Sequence, residues 1–266
     1  MLHEAISSDA DTIVSGGVVR SNSQRQVAAA RLGLACHLAV YHGRFEPPTP
    51  EYETSGNAFL NRLFGAHFHD VPWIGDRNAA ISALVDDLQA TGHKPYFVPY
   101  GVSNALGAGG YATTIAEIEQ QAAASGFTPA AIVHCTGSVG TQAGLVAGAA
   151  VAMPDTAIVG IDIDAEPARV RTDVVALARQ AADLLGIAFD EGRIEVVAGH
   201  AGPAYGVRWR AGAVRLSERA RHLKGEAGVA KRAPTFISSR NIMCRRCARQ
   251  PRSSALHRRG LNRRLY

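Results

Sequence analysis

Residues Ala131–Ala152 read AIVHCTGSVGTQAGLVAGAAVA. The stretch opens on a short apolar run, Ala131-Ile132-Val133, which predicts a buried strand. A turn of small residues follows, Thr136-Gly137-Ser138-Val139-Gly140-Thr141, and then an Ala/Gly/Leu/Val segment of helical length with no proline before Pro154. Strand, glycine-rich turn and helix N-terminus in that order can cradle a phosphate. Glycines let backbone N–H groups converge without Cβ atoms in the way, the helix end adds partial positive charge, and the Ser and Thr hydroxyls add donors. A tight turn with no ligand is the competing reading, because such turns are common in α/β proteins. The glycines Gly137, Gly140 and Gly144 are spaced G-x-x-G-x-x-x-G, which does not fit the G-x-G-x-x-G of a dinucleotide fold. Asp162 and Asp164 follow the next apolar run, roughly where a ribose-binding acid would stand, so a nucleotide reading stays open. Capping the helix that starts at Pro167 is the plainer role for both acids.

Outward from this unit the chain alternates strand and helix signals, the rhythm of a parallel α/β sheet. Upstream, strands are expected at Asp11–Val14, Cys36–Tyr41, Ala66–Val71 and Tyr96–Val98, with Gly16-Gly17 breaking the first. Helices are expected after the Arg20–Gln26 segment to about Leu32, over Gly56–Phe64 with Phe59, Leu60, Leu63 and Phe64 on one side, and over Asp76–Ala90. Ser21–Ser23 sit at a helix start, where they either cap it or offer an anion site suited to a carboxylate. Pro99–Tyr111 reads as a loop and carries the expected domain boundary, with a helix over Tyr111–Ser125. Downstream come a strand over Ala157–Ile163, a helix over Pro167–Leu185 and a strand over Ile194–Val197. His67 and His69 share a face of their strand; without a third ligand nearby in sequence they are expected to be exposed strand histidines and not metal ligands.

The 266 residues, 47% apolar, suffice for one large or two modest domains. No unbroken apolar run reaches the length of a membrane span, and the acidic start MLHEAISSDAD lacks a secretory signal pattern. Four scattered cysteines, Cys36, Cys135, Cys244 and Cys247, suit a reduced, cytoplasmic setting. The net charge of +5 averages two unlike parts: 11 Lys+Arg against 21 Asp+Glu over residues 1–207, and 17 against 2 over residues 208–266. The basic tail could attract nucleic acid electrostatically. Cys244-Arg-Arg-Cys247 has zinc-knuckle spacing, but with only His257 nearby a closed four-ligand site is not available. Nucleic acid is not the expected partner, and no metal is expected.

Several ordered motifs together resemble one family. Gly17-Val18-Val19-Arg20-Ser21-Asn22-Ser23 is similar to the G-x-V-Q-S-N segment of the 1-aminocyclopropane-1-carboxylate deaminase and D-cysteine desulfhydrase group, with which L-cysteate sulfo-lyase belongs. SGNAFLNRLFGAHFHDVP, PYGVSNALGAGGYATTIAEI, HCTGSVGTQAGLVAG and AGPAYGV follow in the family's order, and the likeness covers Leu2–Val207. The resemblance implies pyridoxal phosphate as cofactor and a tryptophan-synthase-β-like fold (fold type II) of two three-layer α/β/α domains, incomplete here. A smaller domain would span residues 1–100, part of the larger one residues 101–207, and a basic, non-homologous and disordered tail residues 208–266. Thr136, Gly137, Ser138, Val139, Gly140 and Thr141 would hold the cofactor phosphate, and Asn22 the pyridine-ring hydroxyl oxygen. Ser21, Asn22 and Ser23 would meet the substrate carboxylate. Ser21, near the reacting carbon, and Tyr205, in the substrate pocket, would be the catalytic side chains. Ser103 and Asn104 match a loop that approaches the cofactor. The implied activity is a lyase or deaminase on a small amino acid of the D-cysteine, L-cysteate or 1-aminocyclopropane-1-carboxylate type, releasing ammonia and a 2-oxo acid from a cytoplasmic homodimer.

Three departures bear on that expectation. Arg20 stands where Gln is usual and Ser23 where His or Gln is usual; Arg20 either favours an anionic substituent such as sulfonate or is a solvated arginine. The family carries its Schiff-base lysine in a G-G-N-K-x-R-K segment upstream of the first strand, and none of Lys94, Lys224 and Lys231 has that motif. The expectation is a chain that starts inside the helix after that segment, and an inactive remnant is the alternative to an active enzyme. After Val207 the family's D-P-V-Y-x-G-K segment is not found, as a shifted reading frame would produce.

Overall fold

A computed structural model describes residues 1–201 apart from Leu32, residues 43–48, Ile74, Ala165 and Phe189. Tyr205 and the whole basic tail lie outside the described residues. Two parallel sheets follow one another along the chain. The first has the order β3-β2-β1-β4, from β1 (Thr12–Val18), β2 (Ala35–His42), β3 (His67–Pro72) and β4 (Pro95–Val98). Its helices are α1 (Leu2–Ser7), α2 (Asn22–Ala30), α3 (Pro50–Thr54), α4 (Asn57–Leu63) and α5 (Ala79–Ala90). The second sheet has the order β5-β6-β7, from β5 (Ala131–Thr136), β6 (Ala157–Asp162) and β7 (Ile194–Val197). With it go α6 (Ala105–Ala124), α7 (Gly140–Ala152) and α8 (Pro167–Leu185). This is the expected α/β architecture of fold type II.

A parallel sheet joined by crossover helices buries its central strands, and β1 is buried at every position. On one face of the first sheet Ile13, Cys36, Leu38 and Val40 pack with Val27 and Ala28 of α2 and Ala58 of α4. On the other face Val14 and Ala39 pack under Ile81 of α5. In the second sheet Ile132, Ile158 and Ile194 pack under Ile115, Leu145, Val146, Val170 and Val174 of α6, α7 and α8. The alternate residues Ala131, Cys135, Ala157 and Glu195 are exposed, so among the described residues helices cover one face of this sheet.

Three local expectations are corrected, each by close packing. Gly16 and Gly17 do not break β1, which runs through both to Val18. A Cβ on Gly16 would stand 2.6 Å from Ile81 and one on Gly17 2.8 Å from Ser21, so both glycines make room for neighbours. The loop from Pro99 ends at Asn104, because α6 already starts at Ala105. Asn104 Oδ1 accepts from the Gly107 amide at 2.8 Å, and a Cβ on Gly107 would meet the Val102 carbonyl oxygen at 2.0 Å. The apolar side expected for α4 faces solvent in part: Phe59 is 53% and Leu63 65% exposed, while Ala58 and Asn61 are buried. Ala58 belongs to the same buried cluster as Val27 and Ala28 of α2.

The second sheet's helices depend on a similar economy. Cβ atoms on Gly144 and Gly148 of α7 would approach the Ala108 and Ala112 carbonyl oxygens of α6 to 2.0 and 2.3 Å. Replacing Gly144 by Val should therefore force the two helices apart and cost about 1–3 kcal/mol of stability or more, read by denaturant unfolding.

The histidines of β3 are not isolated. The β2–β3 register sets His37 opposite His67, and His37 Nδ1 lies 3.0 Å from His69 Nε2. Burial, with the neighbouring His67, His69 and His93, lowers the His37 pKa from 6.5 to about 4. A group harder to protonate when folded favours the folded state above its unfolded pKa and withdraws that support as pH falls. Melting temperature should drop between pH 6.5 and 4, and His37→Gln should flatten that part of the profile relative to wild type.

Candidate active site

The loops singled out in the sequence lie at the carboxyl ends of β1, β4 and β5, where open parallel sheets place their ligands. At the end of β1, Ser21 is the N-cap of α2, with its Oγ accepting from the Gln24 amide at 3.3 Å and lying 2.8 Å from Ser23 Oγ. Buried Gln24 anchors this turn through its Nε2 to the Ala39 carbonyl at 3.0 Å. The Asn22 side chain is oriented by a residue not singled out in the sequence. Asn57 Nδ2 donates to Asn22 Oδ1 at 2.8 Å and to the Arg20 carbonyl at 3.0 Å. An amide whose oxygen is engaged in this way presents its NH₂ elsewhere.

The Arg20 guanidinium is engaged within the fold. It donates to the carbonyls of Tyr52 and Glu51 at 2.8 and 2.9 Å and to Ser55 Oγ at 2.7 Å, and stacks 4.3 Å from the centre of the Tyr52 ring. It bolts the start of α2 to α3.

At the end of β5 the turn is tight. Val139, the residue before α7, has φ +65°, a conformation that a β-branched side chain rarely adopts. The Gly140 amide donates to the Ser138 carbonyl at 2.9 Å, and Ser103 Oγ donates to that same carbonyl. Arg77 Nη1 donates to the Gly137 carbonyl at 3.2 Å. Among the described residues the amides of Ser138, Val139 and Thr141 donate to no backbone carbonyl, and the buried Thr136 Oγ1 has no hydrogen-bond partner. Four donors are thus unsatisfied by the fold at the start of a 13-residue helix.

The turn Tyr100–Ser103 joins these two ends. It follows β4, packs against α2, and meets the cradle: a Cβ on Gly101 would lie 2.4 Å from Ser138 Cβ, and one on Gly140 3.0 Å from Ser103 Oγ. The Asn22 and Gly137–Gly140 loops therefore flank one segment. Asp162 and Asp164 neither cap α8, whose N-cap is Glu166, nor stand free for a ribose. Asp162 Oδ1 accepts from the Asp164 amide at 2.8 Å, and the Asp164 carboxylate binds Arg77 and, at 3.1 Å, Arg169.

Lys94 is at the amino end of β4, the opposite end of that strand from the Tyr100–Ser103 turn. It precedes β4, its Nζ lies 2.5 Å from Asp9 Oδ2, and that hydrogen bond raises its pKa, the reverse of what a nucleophilic amine needs. Lys224 and Lys231 lie outside the described residues. Among the described residues no group of three or more His, Cys, Asp or Glu is arranged to hold a metal ion, and no helix is long and apolar enough to cross a membrane.

Residues 25–229 match the family described as pyridoxal-phosphate dependent enzyme. The chain belongs to that family. It is 38% identical over 214 residues to a 1-aminocyclopropane-1-carboxylate deaminase of Methylobacterium nodulans, covering 77% of this chain and 62% of the relative. It is 33% identical over 206 residues to a D-cysteine desulfhydrase of Yersinia enterocolitica, with the same coverage of each. The chain thus spans about 62% of the length of these curated relatives. A crystallised ACC deaminase homologue superposes with a TM-score of 0.67 at 25% identity, over 88% of this chain and 68% of that one. These relatives are of the group that the motifs resemble, and the family match extends past the change of composition at Val207.

Asn57→Ala should leave Asn22 free to rotate. The variant should melt within a few degrees of wild type, as expected for a partly exposed polar contact of about 1 kcal/mol. The Asn22 side-chain amide resonances in an NMR spectrum should shift and broaden.

Proposed function

We propose that the chain binds pyridoxal 5′-phosphate, with the phosphate in the Thr136–Thr141 turn and the ring beside Asn22. We further propose that it serves a lyase or deaminase of small amino acids such as D-cysteine, L-cysteate or 1-aminocyclopropane-1-carboxylate, releasing ammonia and a 2-oxo acid. The observation that carries this reading is the set of unsatisfied donors at the start of α7: the buried Thr136 hydroxyl and the amides of Ser138, Val139 and Thr141. A phosphate dianion suits such a set, since each oxygen accepts several hydrogen bonds and the helix end favours negative charge. The cofactor, when bound, supplies an electron sink for bond breaking at the α-carbon of an amino acid.

The chain's own residues then divide the work. Asn22, with Oδ1 engaged by Asn57, turns its NH₂ toward an acceptor, as the ring hydroxyl oxygen is. Ser21 and Ser23 share one hydrogen bond between their hydroxyls, which leaves one O–H to donate to a substrate carboxylate at the positive end of α2. Tyr205 enters by its motif alone. A cytoplasmic homodimer belongs to the same reading; the free thiols Cys36 and Cys135 are in keeping with a reducing compartment.

A second reading is a chain that binds the cofactor without turnover, and the placement of Lys94 away from the site favours it. One experiment separates the two. The full chain is titrated with pyridoxine 5′-phosphate, which needs no lysine to bind, and is then assayed with pyridoxal 5′-phosphate for 2-oxo acid release from the three amino acids. Release from any of them supports the enzyme, and phosphate-dependent binding without release supports the second reading. Failure to bind pyridoxine 5′-phosphate overturns both.

A further inference from the structure

Arg77 lies outside every motif that pointed to the site, in the turn before α5. Its backbone is fixed to the first sheet: Tyr41 OH donates to the Arg77 carbonyl at 2.8 Å, and the neighbouring Asn78 Oδ1 accepts from the Tyr100 amide at 3.0 Å. Its side chain crosses to the second sheet. Nη1 reaches the Gly137 carbonyl at 3.2 Å, and Nη2 pairs with Asp164 Oδ2, an oxygen that Arg169 also contacts at 3.1 Å on a carboxyl only 4% exposed. The guanidinium is thereby aimed by a buried carboxylate.

A trans peptide is planar, and its C=O and following N–H point in opposite directions. The Gly137 carbonyl turned toward Arg77 therefore sends the Ser138 N–H the opposite way. The next peptide repeats the pattern, because Ser103 and the Gly140 amide hold the Ser138 carbonyl and so direct the Val139 N–H. Arg77 also borders a cleft of about 270 Å³ beside Trp73, Glu166 and Asp173. An anion held by the Ser138 amide lies on the side of that peptide facing away from Arg77. The left-handed Val139 is the strained backbone that such an arrangement requires, and strain of this kind persists only where the surroundings enforce it.

We infer that Arg77 is a positioning residue of the anion cradle: it touches no phosphate itself, but through the Gly137 carbonyl it orients the Ser138 amide toward one. This rests on the cradle reading above and adds that phosphate recognition is controlled from the first sheet.

The test compares pyridoxine 5′-phosphate with pyridoxine on the full chain by calorimetry, for wild type, Arg77→Ala and Arg77→Lys, with circular dichroism and melting to establish folding. The phosphate preference, the ratio of the two affinities, should fall about tenfold in Arg77→Ala, the usual effect of losing one charge-assisted hydrogen bond. Arg77→Lys keeps the charge but not the two-pronged donor, and should lose nearly as much. A merely structural arginine would lower the melting temperature and leave the ratio unchanged. If Arg77→Lys keeps the wild-type preference, only its charge matters and the inference is overturned. Should both variants fail to fold, Asp164→Asn releases the guanidinium while sparing the residue; an unchanged ratio there overturns the inference, and a reduced one supports it. A wild-type chain with no phosphate preference overturns the cradle reading itself and this inference with it, whereas a preference that all three variants keep overturns the inference alone.

Discussion

Backbone amides at the start of a helix have no partners within it, and buried hydroxyls without partners are costly. At the carboxyl end of β5 both occur together: Thr136 Oγ1 is unpaired and buried, and the amides of Ser138, Val139 and Thr141 donate to no backbone carbonyl among the described residues. The surrounding structure keeps this deficit in place. Carbonyls that could fold back onto the amides are engaged by Arg77 and Ser103, and Val139 is held at a positive φ. A turn free to relax would satisfy itself and offer nothing to an anion.

Holding the deficit in place requires the two sheets to be registered against each other. Small residues permit that approach and polar side chains fix it. Gly101 brings the Tyr100–Ser103 turn onto Ser138, and Gly107 lets the first turn of α6 lie under Val102. Arg77 then spans from the first sheet to Gly137 and Asp164. The Asn22 loop is built in the same manner from its own side, with Arg20 and Asn57 tying α2 to α3 and α4. Membership of the pyridoxal-phosphate-dependent family is consistent with a ligand that has both an anionic end and a flat polar ring.

Residues that act through local structure were legible in the sequence. Ser21 caps α2, the glycine-rich turn leads into α7, and α8 and β7 begin and end where their patterns change. Residues that act across the fold were not. Asn57 stands 35 positions from Asn22 and Arg77 60 positions from Gly137, and neither an isolated Asn nor an isolated Arg carries a signal of its partner. The His37 contact with His69 was hidden for the same reason, since only the β2–β3 register brings them together.

The sequence by itself determined the order of strands and helices, the parallel class of the sheets and the family, because apolar periodicity, caps and ordered motifs are local properties of the chain. Tertiary structure alone decided which side chains orient the site and which glycines are spacers and not breaks. Those roles are set by distances between segments far apart in sequence. Gly16 and Gly17 look like a break until Ile81 and Ser21 are seen to occupy the space their side chains would have taken.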